Sequence, residues 1–261
     1  MTEIELIKPK ILPRDEEFLW RYFDIHKLLH LLKEKRLRYT RMDQFEDALE
    51  GIPFETLERF AKINNEPTLN LANIILETDK YLIKTETKLF GRLDEILQIQ
   101  SSHFVSCWFY EQRESMAMWN LYSNPDGVAL KVSFGKLKAL LKPDLKVSGI
   151  KGYFCGKVEY QDFRNQDPYA VNGLSKLGKV SLRKDVSFSH EKEIRFVIKT
   201  DTTTNKLKTG IDSDKLNFKE LNIKIVCHPR MAEWKKRNIK QILKDEGIST
   251  SYAESEIKLR Y

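Results

Sequence analysis

Glu191, Glu193 and Arg195 stand two apart in the run Phe188-Ser189-His190-Glu191-Lys192-Glu193-Ile194-Arg195. In an extended strand that spacing puts all three on one face, and Ile194, Phe196 and Ile198 on the other as core. Two carboxylates beside a guanidinium can hold or move a proton and stabilise a developing positive charge. As a cross-strand ion-pair face they would instead contribute only ~0–1 kcal/mol where exposed. Three further segments stand out: Trp20-Arg21-Tyr22, the acidic turn Phe45 to Gly51 with Asp47 and Glu50, and Ser106-Cys107-Trp108 followed by Glu114 to Tyr122. Each has a structural alternative. Trp108, Trp119 and Tyr122 suit a core as well as a binding platform. Ser106 in an apolar strand can bond back to the main chain. Arg21 can pair with Asp24 or Glu17. Asp47 and Glu50 can cap a helix beginning at Pro53. Cys107 reads as a small buried hydrophobe.

The elements that must position these residues follow from periodicity. Glu16 to Arg36 reads as a helix with Leu28, Leu29, Leu31 and Leu32 as its apolar face. A short strand at Arg38 to Thr40, the acidic turn, a helix from Pro53 and a mostly helical stretch from Leu69 to Gln100 come next. After His103 alternation takes over. Strands are expected at His103 to Phe109, Val128 to Val132, Gly152 to Tyr160, Glu193 to Ile198 and Ile223 to Cys227, with a closing strand at Ser249 to Tyr252. Short helices fall at Glu114 to Tyr122 and Ala232 to Glu246. The reading is one α+β domain over 1–261, with a helical part (1–100) packed on a mostly antiparallel, sheet-rich part (101–261).

Composition narrows the function classes. The 261 residues are 41% apolar and 32% charged, an ordinary globular balance, with net charge +7. The basic excess favours anionic partners such as nucleic acid or a nucleotide, although the lysines are spread rather than clustered. Cys107, Cys155 and Cys227 form no CxxC pair, which fits a reducing cytoplasm. His26 and His30 have helical i,i+4 spacing but no second ligand pair, so no metal is expected. The opening MTEIELIKPK lacks the apolar core of a secretory signal, and no apolar run approaches ~20 residues, so no membrane association is expected. Phosphate-loop, dinucleotide-fingerprint, zinc-protease and nucleophile-elbow motifs are absent from the sequence.

In this order the segments resemble the family catalogued as domain of unknown function 2971. The matches are Arg21-Tyr22, Phe45 to Gly51, Cys107-Trp108 with Glu114-Ser115 and Met118-Trp119, Val158-Glu159-Tyr160, and Lys184 with Phe188, Glu191, Glu193 and Arg195. Pro229 and Trp234 fit the tail. Glu46-Asp47-Ala48 departs from the family's usual Asn-Asp-Pro. A second resemblance covers three short patches. Glu191-Lys192-Glu193 is similar to the Glu-x-Glu strand of ADP-ribosyltransferases, with Arg21 and Ser106 in matching order. That resemblance implies an ADP-ribosyltransferase-like fold and cleavage of the nicotinamide glycosidic bond of NAD through an oxocarbenium-like transition state. It implies Glu193 as the stabilising carboxylate, Glu191 as activator of the acceptor and Ser106 on the middle strand. Arg21 with Tyr22 and Arg195 would hold the nucleotide, and Trp108, Trp119 or Tyr122 would stack on nicotinamide. The acceptor would be nucleic acid or protein, and the family resemblance suggests anti-phage defence or a toxin-like effector. Two other readings stay open: a non-catalytic nucleotide- or RNA-binding module, and a nuclease with Asp47, Glu50, Glu191 and Glu193 around Mg²⁺.

Overall fold

The computed structural model describes residues 4–47, 50, 98–144, 146–162, 177–201 and 209–260. Its fold is α+β, with a large sheet that is mostly antiparallel. The strands are β1 (Glu5–Leu6), β2 (Phe18–Phe23), β3 (Arg38–Arg41), β4 (His103–Tyr110), β5 (Val128–Ser133), β6 (Ile150–Lys157), β9 (Glu193–Thr200), β10 (Gly210–Asp212), β11 (Lys224–Cys227) and β12 (Tyr252–Ala253). Two more, β7 (Glu159–Gln161) and β8 (Arg183–Asp185), form a small parallel pair. The main order is β1-β6-β9-β4-β2-β5-β11-β12, with β3 bridging β4 and β10. The helices are α1 (Ile25–Glu34), α2 (Met116–Tyr122), α3 (Phe134–Leu140), α4 (Phe218–Leu221) and α5 (Glu233–Asp245).

The helix expected from Glu16 to Arg36 is corrected at its start. Phe18-Leu19-Trp20-Arg21-Tyr22-Phe23 is a strand in the middle of the sheet. Its aromatic-rich run suits a pleated, buried surface better than a helix. Asp24 then ends the strand and caps α1, accepting from the Lys27 amide at 2.9 Å. Leu28, Leu31 and Leu32 face the core, whereas Leu29 is exposed. Within the part expected to be helical, β2 and β3 are strands, and both pair with β4. The helix expected from Pro53 and most of the stretch from Leu69 to Gln100 lie outside the described residues; 98–102 are helical. Gly152 to Tyr160 divides into β6 and β7, and the closing strand shortens to β12 after a 3-10 turn at Ser249–Ser251.

Alternation assigns each strand residue to a face. One face carries Leu19, Phe23, Phe104, Trp108, Leu130, Ile194, Phe196 and Ile198, which join apolar residues of α1, α3, α4 and α5 in one core. The opposite face has two smaller apolar groups. Trp20, Tyr22, Phe109, Met118 and Trp119 form one, and Ile7, Met42, Val105, Phe154 and Val197 the other. On β9, burial extends beyond the expected core residues Ile194, Phe196 and Ile198. Glu193 and Arg195 on the other face are buried as well.

The sheet forks at β4. The end of β4 at Phe109 and Tyr110 pairs with Trp20 and Leu19 of β2, and its start at Phe104 and Val105 pairs with Arg41 and Thr40 of β3. Between these contacts β4 has no partner strand on that side, among the described residues. The fork is where the candidate site lies.

Candidate functional site

A cavity of about 800 Å³ opens at the fork. That size falls in the ~300–1,000 Å³ range of small-molecule sites. Its walls include Arg21, Tyr22, Trp108 and Tyr122, together with Glu50, Lys184, Glu191, Glu193 and Arg195. His26 and His30 of α1, exposed and four apart, line its rim.

The acidic side is one connected network. The Arg195 guanidinium grips Glu193 with Nε at 2.8 Å and Nη2 at 2.9 Å from the two oxygens. Its Nη2 also pairs with Glu50, and Nη1 donates to the Ser181 carbonyl at 2.9 Å. Lys184 Nζ bridges Glu191 at 2.6 Å, Glu193 at 3.3 Å and Glu50 at 3.7 Å. The Tyr122 hydroxyl donates to the second Glu191 oxygen. The Tyr160 hydroxyl accepts from the Glu193 amide at 2.9 Å. All five charged residues are at most 7% exposed, so each needs these partners to offset lost hydration.

One expectation about this cluster is corrected. Glu191 is not on the strand with Glu193. It ends a 3-10 turn, Val186–Glu191, and Lys192 follows with a left-handed φ of 42°. That turn, not strand alternation, brings Glu191 back onto Lys184 beside Glu193. The two carboxyls then differ in acidity. Burial, followed by the neighbouring Glu193, raises Glu191 to about 7. Burial also pushes Glu193 up, but Arg195 and Lys184 overcome it and hold that carboxyl well below the usual range. Burial leaves Glu50 raised despite Arg195. Cys107 points into the same cluster, and burial, aided by Glu193, holds it as a thiol.

Arg21 belongs to the other side of the sheet. It lies between Leu19 and Phe23 on β2, and its guanidinium spans the fork. Nη1 donates to Ser106 Oγ at 2.9 Å and Nη2 to the Arg38 carbonyl at 3.2 Å. Its carbon sits 5.8 Å from the Trp108 ring centre. Arg21 pairs with neither Asp24 nor Glu17. Burial lowers its pKa, and it remains a cation.

Of the residues read from sequence, Arg21, Tyr22, Trp108, Tyr122, Glu191, Glu193 and Arg195 all line this cavity. Ser106 does not. It is fully buried, and its hydroxyl receives hydrogen bonds from Arg21 and from Trp108 Nε1 at 3.0 Å, so it positions those two. Trp119 also lies away from the cavity. It packs edge-on to Tyr22 and His228, both with ring centres at 4.9 Å, and donates to Glu114 at 2.8 Å. Trp108, Trp119 and Tyr122 do not cluster, because Trp108 sits on the sheet face opposite to Trp119. The sequence places Lys184 at a motif position and Glu50 in the acidic turn, and ties neither to Glu193 through an ion pair. Both prove central to the ion network. Their signal was the shared motif with Glu191 and the acidic turn.

No curated protein and no solved structure matches the chain. The stretch that carries Trp119, Tyr122, Lys184, Glu191, Glu193 and Arg195 is where the family resemblance read from the sequence holds: residues 118–196 match the family described as protein of unknown function (DUF2971).

Proposed function

We propose that the protein is an enzyme that cleaves the N-glycosidic bond of a nucleotide, with NAD as substrate and transfer of ADP-ribose to an acceptor as its fuller activity. The observation that carries this reading is Glu191. It is a cavity-wall carboxyl near neutral pKa, held by Tyr122 and Lys184 and facing the same cavity as the Arg21 guanidinium. A carboxyl poised near 7 can both donate and accept a proton under working conditions. Glu193 carries the permanent negative charge that would favour an oxocarbenium-like transition state. Arg21 offers a fork for phosphate oxygens, and Trp108 beneath it a flat surface. The setting would be bacterial anti-phage defence or a toxin-like effector.

The test is release of nicotinamide from NAD by the purified protein, with and without nucleic-acid and protein acceptors. Glu193→Gln is expected to lower release by about 10²–10³-fold, the scale of losing one preorganised group, and Glu191→Gln to lower transfer to the acceptor more than release. No binding and no cleavage by wild type under any of these conditions sinks the reading.

A specific observation favours the second reading, a non-catalytic module that binds a nucleotide or RNA. Glu193 is already gripped by Arg195 and Lys184, as a structural carboxylate would be. Binding without turnover would select it. The nuclease reading gains no support, since Lys184 and Arg195 occupy the space among the three carboxylates that a divalent ion would need.

A further inference from the structure

The cavity holds two unbalanced charges, one on each face of the sheet. On the acidic side Glu50, Glu191 and Glu193 face only Lys184 and Arg195, so three carboxylates meet two cations among the described residues. On the other side Arg21 has only neutral partners, the Ser106 hydroxyl and the Arg38 carbonyl, and no described carboxylate pairs with it. Nearby cations are already matched. Lys27 pairs with Asp24 at 3.3 Å, Arg36 with Asp144 at 2.7 Å and Arg38 with Asp212 at 3.9 Å.

Strand alternation keeps the two charges from cancelling. Trp20 of β2 stands opposite Phe109 of β4, whose neighbour across β9 is Glu193. Arg21, one residue on, points to the other face. With their side chains on opposite faces, the two groups do not meet as a direct ion pair. A ligand that passes through the fork can neutralise both.

We infer that the cavity selects a dipolar ligand, with an anionic phosphate at Arg21 and a cationic group at the Glu191 carboxyl. This deepens the proposed function and rests on the cavity being the ligand site. Two sources share this chemistry: an oxidised pyridine nucleotide, whose ring is a cation, and a phosphocholine headgroup. In the empty site a proton on Glu191 balances the excess negative charge, consistent with its raised pKa. The groups facing Glu191 are Tyr122, Lys184 and Glu193, with Arg195, Glu50 and Cys107 behind them. A ligand cation displaces that proton, so its binding tightens as pH rises through about 7.

The experiment is calorimetric binding of carba-NAD⁺ and carba-NADH, which cannot form the ribosyl oxocarbenium and differ at the ring charge, with phosphocholine as a third probe. Carba-NAD⁺ is expected to bind about ten-fold tighter than carba-NADH or more, on the scale of one partly screened ion pair. Its affinity is expected to rise about ten-fold from pH 6 to pH 8, following ionisation of Glu191. Glu191→Gln should bring the two dinucleotides to equal affinity, and Arg21→Ala should weaken both alike. If the Gln variant does not fold, the wild-type pH profile decides. Equal binding of both dinucleotides to wild type overturns the charge selection and leaves the nucleotide site standing. Phosphocholine binding without dinucleotide binding keeps the charge selection and overturns the NAD reading. Binding of none of the three overturns both.

Discussion

Glu191 makes stability as well as chemistry depend on pH. Its carboxyl titrates near 7 in the fold but near 4.3 in an unfolded chain. Between those values the folded state holds more proton than the unfolded state, so stability contributed by this group is full below about 4 and falls as pH rises toward 7. Relative to Glu191→Gln, wild type should therefore lose roughly 3 kcal/mol between pH 4.5 and pH 8. Urea unfolding of both proteins across that range checks this, and parallel curves would refute it. Arg195 is a sharper case. Replacing it with Met strands Glu193 and Glu50 in a buried site, at a cost of about 3–5 kcal/mol. A Met variant within about 1 kcal/mol of wild type would mean water reaches that network. At this scale the candidate residues were largely legible. Glu191, Glu193, Arg195 and Tyr122 were singled out by type and spacing and share one cavity. Lys184 was not assigned a role, because no local rule says that a lysine seven residues away will fold back between two glutamates.

The elements divide the work. The α2 helix is anchored at both ends of Trp119, whose ring is fully buried beside Tyr22 and whose indole nitrogen donates to Glu114. Trp119→Ala should cost about 3–5 kcal/mol in chemical denaturation, a large-to-small core loss. Tyr122, one turn on, would then drift from Glu191, so activity should fall with stability. Glu114 also ties down the tail. It accepts from Ser255 Oγ at 2.8 and 2.9 Å and from the Ile257 amide at 3.2 Å. Glu114→Gln should loosen residues 254–260, read as faster amide hydrogen exchange there with the strands of the sheet unchanged. Most strands after residue 103 were readable because apolar residues alternate or run continuously there; the three-residue β8 and β10 carry no such pattern. The β2 segment has a helical pattern in the sequence for a definable reason. It is followed directly by a true amphipathic helix, and the Asp24 cap between them is one residue long.

At the scale of the molecule, the forked sheet ties the first residues to the last. β2 lies between β4 and β5, and β11 and β12 continue the sheet beyond β5. Residues 101–261 expressed alone should thus fail to give a cooperative thermal transition, since β4 and β5 would each lose a partner along β2. A sharp transition and dispersed amide spectrum from that fragment would contradict this. Among the described residues no helix is long and apolar enough to cross a membrane. Sequence by itself determined the α+β class, most of the later strands, most of the apolar face of α1, the helix α5, and the residue types of the candidate site. These rest on periodicity and composition, which act over a few residues. Only the tertiary structure decided that β2 enters the sheet, that β4 is shared between β2 and β3, and that Arg21 and the glutamate network meet across the resulting gap. Those outcomes depend on pairing between segments 63 to 115 residues apart in the chain. No local pattern encodes which partner a buried strand will take, because any apolar neighbour of the right length offers the same hydrogen bonds.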